Sequence, residues 1–184
     1  MLEVGCSNGR WLRWFAQNLG CKCYGLDSDA TGFSGSDIEF QLGDARKMNY
    51  SDETFDFVFS LGLLEHFGGN DRETILNEQL RVLGKTGRLL CQIPNLWFSL
   101  EGPFVKWVYD YNQGYKHYVF RPHEIDRILI ASGCRIIVSK YIGSFFERFS
   151  IDPSRKSFPI GKQLSKIPLM RLTRTEYLVV AQRN

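Results

Sequence analysis

The sequence predicts an α/β fold, a mostly parallel sheet with helices on both faces, on three observations. Strand-like apolar runs alternate with segments of helical periodicity along most of the chain. A glycine-rich turn, "LEVGCSNGRWLRWF", joins the first run to the first helical segment. The run "FDFVFSL" is almost wholly apolar, which in a strand means cover on both faces. The chain has 184 residues, 43% of them hydrophobic, enough for one domain with a sizeable core.

In chain order, residues 2–4 read as the end of a buried strand. Residues 9–19 read as a helix with Trp11, Leu12, Phe15 and Leu19 on one face and Gly20 as its C-cap. Strands are expected at 21–27, 38–44 and 55–61. A helix is expected over 71–83, opened by a capping box of Asn70 and Glu73 and closed by Gly84. A fifth strand follows at 88–94. The next helix is expected over 122–132, with Pro122 in its first turn and Ile125, Leu129 and Ile130 as its apolar face. The last two strands are expected at 135–142 and 176–182. Between them, 143–175 is too long for a simple loop and reads as an insertion.

Five cysteines, Cys6, Cys21, Cys23, Cys91 and Cys134, are scattered in apolar surroundings. Their odd number and spacing predict reduced thiols filling the core and a cytoplasmic setting. A strand through 21–27 would send Cys21 and Cys23 to opposite faces. No apolar run reaches the ~18 residues of a membrane span, and the first residues do not form a signal peptide. The net charge of +3 is uneven: residues 145–174 hold seven basic and two acidic side chains. That reads first as a solvated insertion, and otherwise as a patch for an anionic ligand.

A strand, a glycine turn and a helix make a nucleotide-binding device, because glycine lets the backbone approach and a helix N-terminus offers free N–H donors. The spacing here is neither G-x-G-x-x-G nor that of a phosphate loop. Asp27 lies 18 residues after Gly9, where an acid accepts hydrogen bonds from ribose hydroxyls. Asp44 ends the third strand, in reach of an adenine amino group.

The ordered set "LEVGCSNG", "YGLDSD", "LGDARKM", "FDFVFSLGLLEHF", "LLCQIPN" and "YLVVAQR" resembles the successive motifs of class I S-adenosylmethionine-dependent methyltransferases. The resemblance covers most of 2–142 and resumes at the last strand. It implies a Rossmann-like seven-stranded sheet with an antiparallel last strand. It implies S-adenosylmethionine as cofactor, with S-adenosylhomocysteine as product. The implied cofactor residues are Glu3, Gly5, Cys6, Ser7, Asn8 and Gly9 at the turn, Asp27 and Ser28 at the ribose, Asp44 and Ala45 at the adenine, and Leu61 and Gly62 at the reactive end. Ser7 stands where the family often has glycine. The family's helix before the first strand has no counterpart expected in this sequence, where Met1 abuts the strand; a fragment and an unusually open cofactor pocket are the two readings.

Methyl transfer needs alignment more than covalent help, and a base only where the acceptor must lose a proton. His66 and His117 are the candidate bases; His123 reads as a helix-end residue. Relatives that bind Mg²⁺ carry a glutamate at the position of Gly62, so no metal is expected. Nine of the 26 aromatics fall in 96–120, which reads as a lid-like segment with Trp107, Tyr111 and Tyr115 lining an acceptor pocket. The expected activity is methyl transfer to oxygen or nitrogen of a small-molecule acceptor. The alternatives are a degenerate binding module, or an enzyme for an anionic lipid-linked or nucleic-acid substrate. The Asn/Asp-Pro-Pro-Tyr/Phe signature is absent, which argues against nucleic acid.

Overall fold

In the computed structural model, residues 1–33, 38–95, 117–121, 123–142 and 176–183 are described. Seven strands form one sheet: β1 (Leu2–Val4), β2 (Tyr24–Asp27), β3 (Glu39–Leu42), β4 (Phe55–Leu61), β5 (Leu83–Pro94), β6 (Cys134–Ile142) and β7 (Glu176–Arg183). Their order is β3-β2-β1-β4-β5-β7-β6. Pairing is parallel from β3 through β5, and β7 runs antiparallel to both of its neighbours. Among the described residues three helices pack on it: α1 (Arg10–Leu19), α2 (Asn70–Val82) and α3 (Glu124–Ala131). A single 3-10 turn, Leu64–His66, follows β4.

The sheet has a core on each face, as the apolar run of β4 requires. Val58 joins a cluster with Leu2, Val4, Leu76, Leu89, Ile93 and Leu129. Its neighbour Phe59 joins the opposite cluster with Cys6, Leu12 and Cys23. Successive strand residues point to opposite faces, so β4 feeds both. In α2, Arg72, Ile75, Leu76, Gln79 and Leu80 are buried, the i, i+3, i+4, i+7, i+8 stripe of a helix lying on a sheet.

Several local expectations are corrected. In α1 only Leu12 is fully buried, with Phe15 and Ala16 packed beside it. Trp11 is 46% and Leu19 61% exposed. Trp11 lies about 100° round the helix from Leu12, and Leu19 is the last helical residue. Ile130 is likewise exposed, one residue round from the buried Leu129. The capping box does not form: Gly69, at φ 56°, is the N-cap, so Asn70 already lies inside α2. Gly84 does not end α2 either, because the chain passes directly into β5 at Leu83. Residues 84–87, expected to lie between the helix and a strand starting at Arg88, are strand, and an irregular register, Phe55 opposite Leu83 and Phe57 opposite Arg88, absorbs them. A Cβ at Gly87 would come within 2.6 Å of the Leu83 side chain, so glycine is needed there. β2 starts only at Tyr24, so Cys21 and Cys23 precede the strand and the opposite-face argument does not apply to them. All five thiols are unpaired; four are buried and Cys21 is half-buried.

Candidate active site

The turn after β1 is held by the strand beside it. The Gly5 and Cys6 N–H groups both donate to the Leu26 carbonyl, at 2.8 and 3.1 Å. Gly5 has φ 76° and Gly9 φ 68°, the left-handed region that favours glycine. At each, an added side chain would also force a neighbour to shift. A Cβ at Gly5 would lie 2.8 Å from Leu63 Cδ1, and one at Gly9 would lie 2.7 Å from Phe33 Cε2. Ser7 shares the left-handed conformation at φ 46°, a strain that glycine would not carry. Its N–H donates to Asp27 Oδ2 at 2.7 Å, and the Asp29 N–H donates to Asp27 Oδ1 at 3.0 Å. Asp27 therefore ties the turn to the end of β2.

A cleft of about 740 Å³ opens at the C-terminal ends of β1–β4. Of the residues expected at a cofactor, Gly5, Ser7, Asp27, Ser28, Asp44, Ala45 and Gly62 line it. Glu3, Cys6, Asn8, Gly9 and Leu61 do not reach its wall. Glu3 and Cys6 lie buried beneath the turn, and Gly9 starts α1. Asp29, Thr31, Arg46 and Phe67 line the cleft although the sequence reading did not name them. The run "DSDATG" carried a signal for two of these. Asp29 takes both the N–H and the hydroxyl of Thr31 at 2.8 Å, a self-closing turn typical of aspartate.

Charge is distributed unevenly around the cleft. Burial, and then the neighbouring Asp27, push the Glu3 carboxyl up to about 8. Its Oε2 has no partner among the described residues. Asp44 is held below the ordinary carboxylate value by Arg46, whose Nε and Nη2 fork onto it at 2.7–3.1 Å. Arg46 Nη1 reaches Asp71 of α2 at 3.2 Å, so the guanidinium spans the lip of the cleft. The carboxylate expected to meet adenine is thus engaged by an arginine of the same loop.

His66 lines the cleft at the end of the 3-10 turn. His117 is buried behind it, ring centroids 4.8 Å apart. Burial, and then His117, hold the His66 imidazole below its ordinary value, so it is neutral at neutral pH. The two histidines are brought together by packing around them. The Tyr118 N–H donates to the Glu65 carbonyl at 2.7 Å. Arg72 donates to the Phe67 carbonyl, pairs with Glu124 and lies 3.7 Å above the Phe120 ring. Trp107, Tyr111, Tyr115, the remainder of the lid-like segment up to 116 and the insertion 143–175 lie outside the described residues. Among the described residues no group of three or more His, Cys, Asp or Glu side chains is placed to hold a metal ion. No described helix is long and apolar enough to cross a membrane.

Residues 2–91 match the family model described as a methyltransferase domain. The methyltransferase GfsG of Streptomyces halstedii is 29% identical over 100 residues, 48% of this chain and 35% of that protein. Ajmaline N-methyltransferase of Rauvolfia serpentina is 32% identical over 93 residues, 45% of this chain and 31% of that protein. The chain thus spans about a third of the length of these curated relatives. Among solved structures, an S-adenosylmethionine-dependent methyltransferase from Archaeoglobus fulgidus superposes with a TM-score of 0.75 at 16% identity, covering 99% of this chain and 85% of that one.

Proposed function

We propose that the chain, whose residues 2–91 match a methyltransferase domain, is a class I S-adenosylmethionine-dependent methyltransferase that transfers a methyl group to oxygen or nitrogen of a small-molecule acceptor. One observation carries the proposal: a glycine turn whose two glycines have no room for a side chain, fastened by Asp27 to the wall of the cleft.

The residues present fit the cofactor. A cleft of about 740 Å³ lies within the range of about 300–1,000 Å³ that small-molecule sites occupy. Asp27 supplies a carboxylate that accepts hydrogen bonds from a ribose diol. Asp44 and Ala45 line the end of the cleft proposed for the adenine, with the Asp44 carboxylate held by Arg46. Gly62, Leu63 and His66 form the opposite end. Bound there, the cofactor supplies an electrophilic methyl group on a sulfonium. The protein's part is to hold the two reactants in line, exclude water and accept a proton where the acceptor carries one. His66 is suited to the last task, because a neutral imidazole has a lone pair to offer. Burial, and then His117, keep it neutral. Trp107, Tyr111 and Tyr115 remain the proposed acceptor side.

Calorimetry with S-adenosylhomocysteine tests the proposal. Binding by the wild-type protein is expected, weakened by about 1–3 kcal/mol in Asp27→Ala, the cost of deleting a hydrogen-bonded charge. No binding by the wild type, or equal binding by the variant, refutes the assignment.

A further inference from the structure

Residues 42–46, the end of β3 and the loop after it, line the cleft, and Asp44 is the acid among them. One residue of the same loop faces both of its oxygens. Asp44 Oδ1 accepts the Arg46 backbone N–H at 2.8 Å and Nε at 3.1 Å. Asp44 Oδ2 accepts Nε at 3.0 Å and Nη2 at 2.7 Å. An ionised carboxylate offers about four lone-pair sites, and Arg46 makes two contacts with each oxygen. A ligand that donates a hydrogen bond to Asp44 therefore meets a competitor built into the chain.

The loop backbone is too firmly held to settle the competition. The Lys47 N–H donates to the Asp44 carbonyl at 3.0 Å, and the Met48 N–H donates to Glu78 of α2 at 2.9 Å. Ala45 and Met48 are buried on either side. The Arg46 side chain has more freedom, because it is 46% exposed. Its Nη1 lies 3.2 Å from Asp71 Oδ2, in the first turn of α2. On leaving Asp44 the guanidinium keeps a second carboxylate beside it and water around it, so no charge is stranded. An exposed ion pair is weak enough for a ligand to displace, and its forked geometry makes it strong enough to be felt.

We propose that Arg46 is a specificity-determining residue of the cleft, competing for Asp44 with the amino group of a bound purine. The inference rests on the proposed cofactor reading for the presence of a purine at this end. Adenine presents an N–H donor at position 6, and a 6-oxo purine presents an acceptor. The donor gains a partner once Arg46 withdraws. The acceptor gains none from a freed carboxylate and is served better by Arg46 left in place. Arg46 thus weakens adenine compounds selectively and narrows the difference between the two purines. Cofactor and product share the adenine, so both are weakened alike.

Calorimetry with S-adenosylhomocysteine and with S-inosylhomocysteine, its 6-oxo counterpart, tests the proposal on wild type and Arg46→Met. Methionine keeps an unbranched stem and removes every donor. S-Adenosylhomocysteine is expected to bind Arg46→Met about three- to fivefold more tightly, the range open to an exposed ion pair, with no gain for S-inosylhomocysteine. Arg46→Lys keeps the charge and loses the fork, so its affinity for S-adenosylhomocysteine should fall between the two. Equal or weaker binding of S-adenosylhomocysteine by Arg46→Met, or an equal gain for both ligands, overturns the proposal and leaves the cofactor reading standing. No binding of S-adenosylhomocysteine by either protein overturns the cofactor reading and the proposal with it.

Discussion

Glu3→Gln should change how stability depends on pH, in a direction the structure determines. Glu3 is 3% exposed, and burial, then Asp27, place its carboxyl at about 8 rather than at the 4.5 of an ordinary glutamate. The folded state therefore holds a proton that the unfolded chain has released between those two values. An acid raised in the folded state stabilises less as pH climbs through that window. The shift corresponds to a loss of at most about 4 kcal/mol by pH 8, and relaxation around a buried group lowers the expected figure to about 2 kcal/mol. His66 acts in the opposite sense. Its lowered value makes the unfolded chain the better proton binder, so its contribution grows as pH rises toward about 6.5. Asp44 and Glu78 are lowered and titrate below about 4.5, outside this window. The comparison of wild type with Glu3→Gln cancels the histidine. Urea unfolding at pH 5 and pH 8 should show wild type losing about 2 kcal/mol more than the variant over that interval. Parallel losses within about 0.5 kcal/mol would refute the reasoning that Glu3 is neutral in the fold.

Three further outcomes follow from the cleft and its supports. Gly9→Ala places a methyl 2.7 Å from the Phe33 ring at a φ of 68° and should cost about 1–3 kcal/mol in denaturant unfolding. Ser7→Gly relieves the left-handed serine without removing the N–H that Asp27 accepts, and should be neutral or stabilising by up to about 1 kcal/mol with S-adenosylhomocysteine affinity kept. Arg72→Met strips the buried partner of Glu124 and the donor to the Phe67 carbonyl, and should destabilise by about 3 kcal/mol in thermal or urea unfolding.

The succession of strands along the chain and the glycine turn were legible because they are local. β4 was read to the residue, since its apolar run has sharp polar borders at Thr54 and the glycine after Leu61. The C-cap of α1 was read from one glycine, and Gly20 does adopt the left-handed conformation at φ 63°. Errors arose where two local signals competed. Asn70 is a good N-cap by type, but Gly69 reached the required non-helical geometry first. Gly84 is a good helix terminator by type, and only pairing with β4 starts the strand as early as Leu83. Apolar residues such as Trp11 and Ile130 obey a helical period and still lie outside the stripe that contacts the sheet.

The two halves of the site differ in how far apart in the chain their parts lie. The cofactor side is built from strand ends and the turns that follow them, so each motif brings its own geometry, and Asp27 reaches back only 20 residues to Ser7. On the other side, His117 meets His66 across 51 residues, and away from the cleft Tyr177 meets Asp126 across another 51. No periodicity spans such distances. His66 and His117 were each singled out from their position after a strand or before a helix, but their contact depends on Tyr118, Phe120 and Arg72 folding the chain back onto the 3-10 turn. His123 was read as a helix-end residue, which is its correct place in the chain. What the sequence withheld was Asp126 Oδ2 and Tyr177 Oη converging on its Nδ1, because the two groups come from opposite ends of the α3–β7 stretch. A polar cluster of this kind is therefore visible only when its long-range partners are in place.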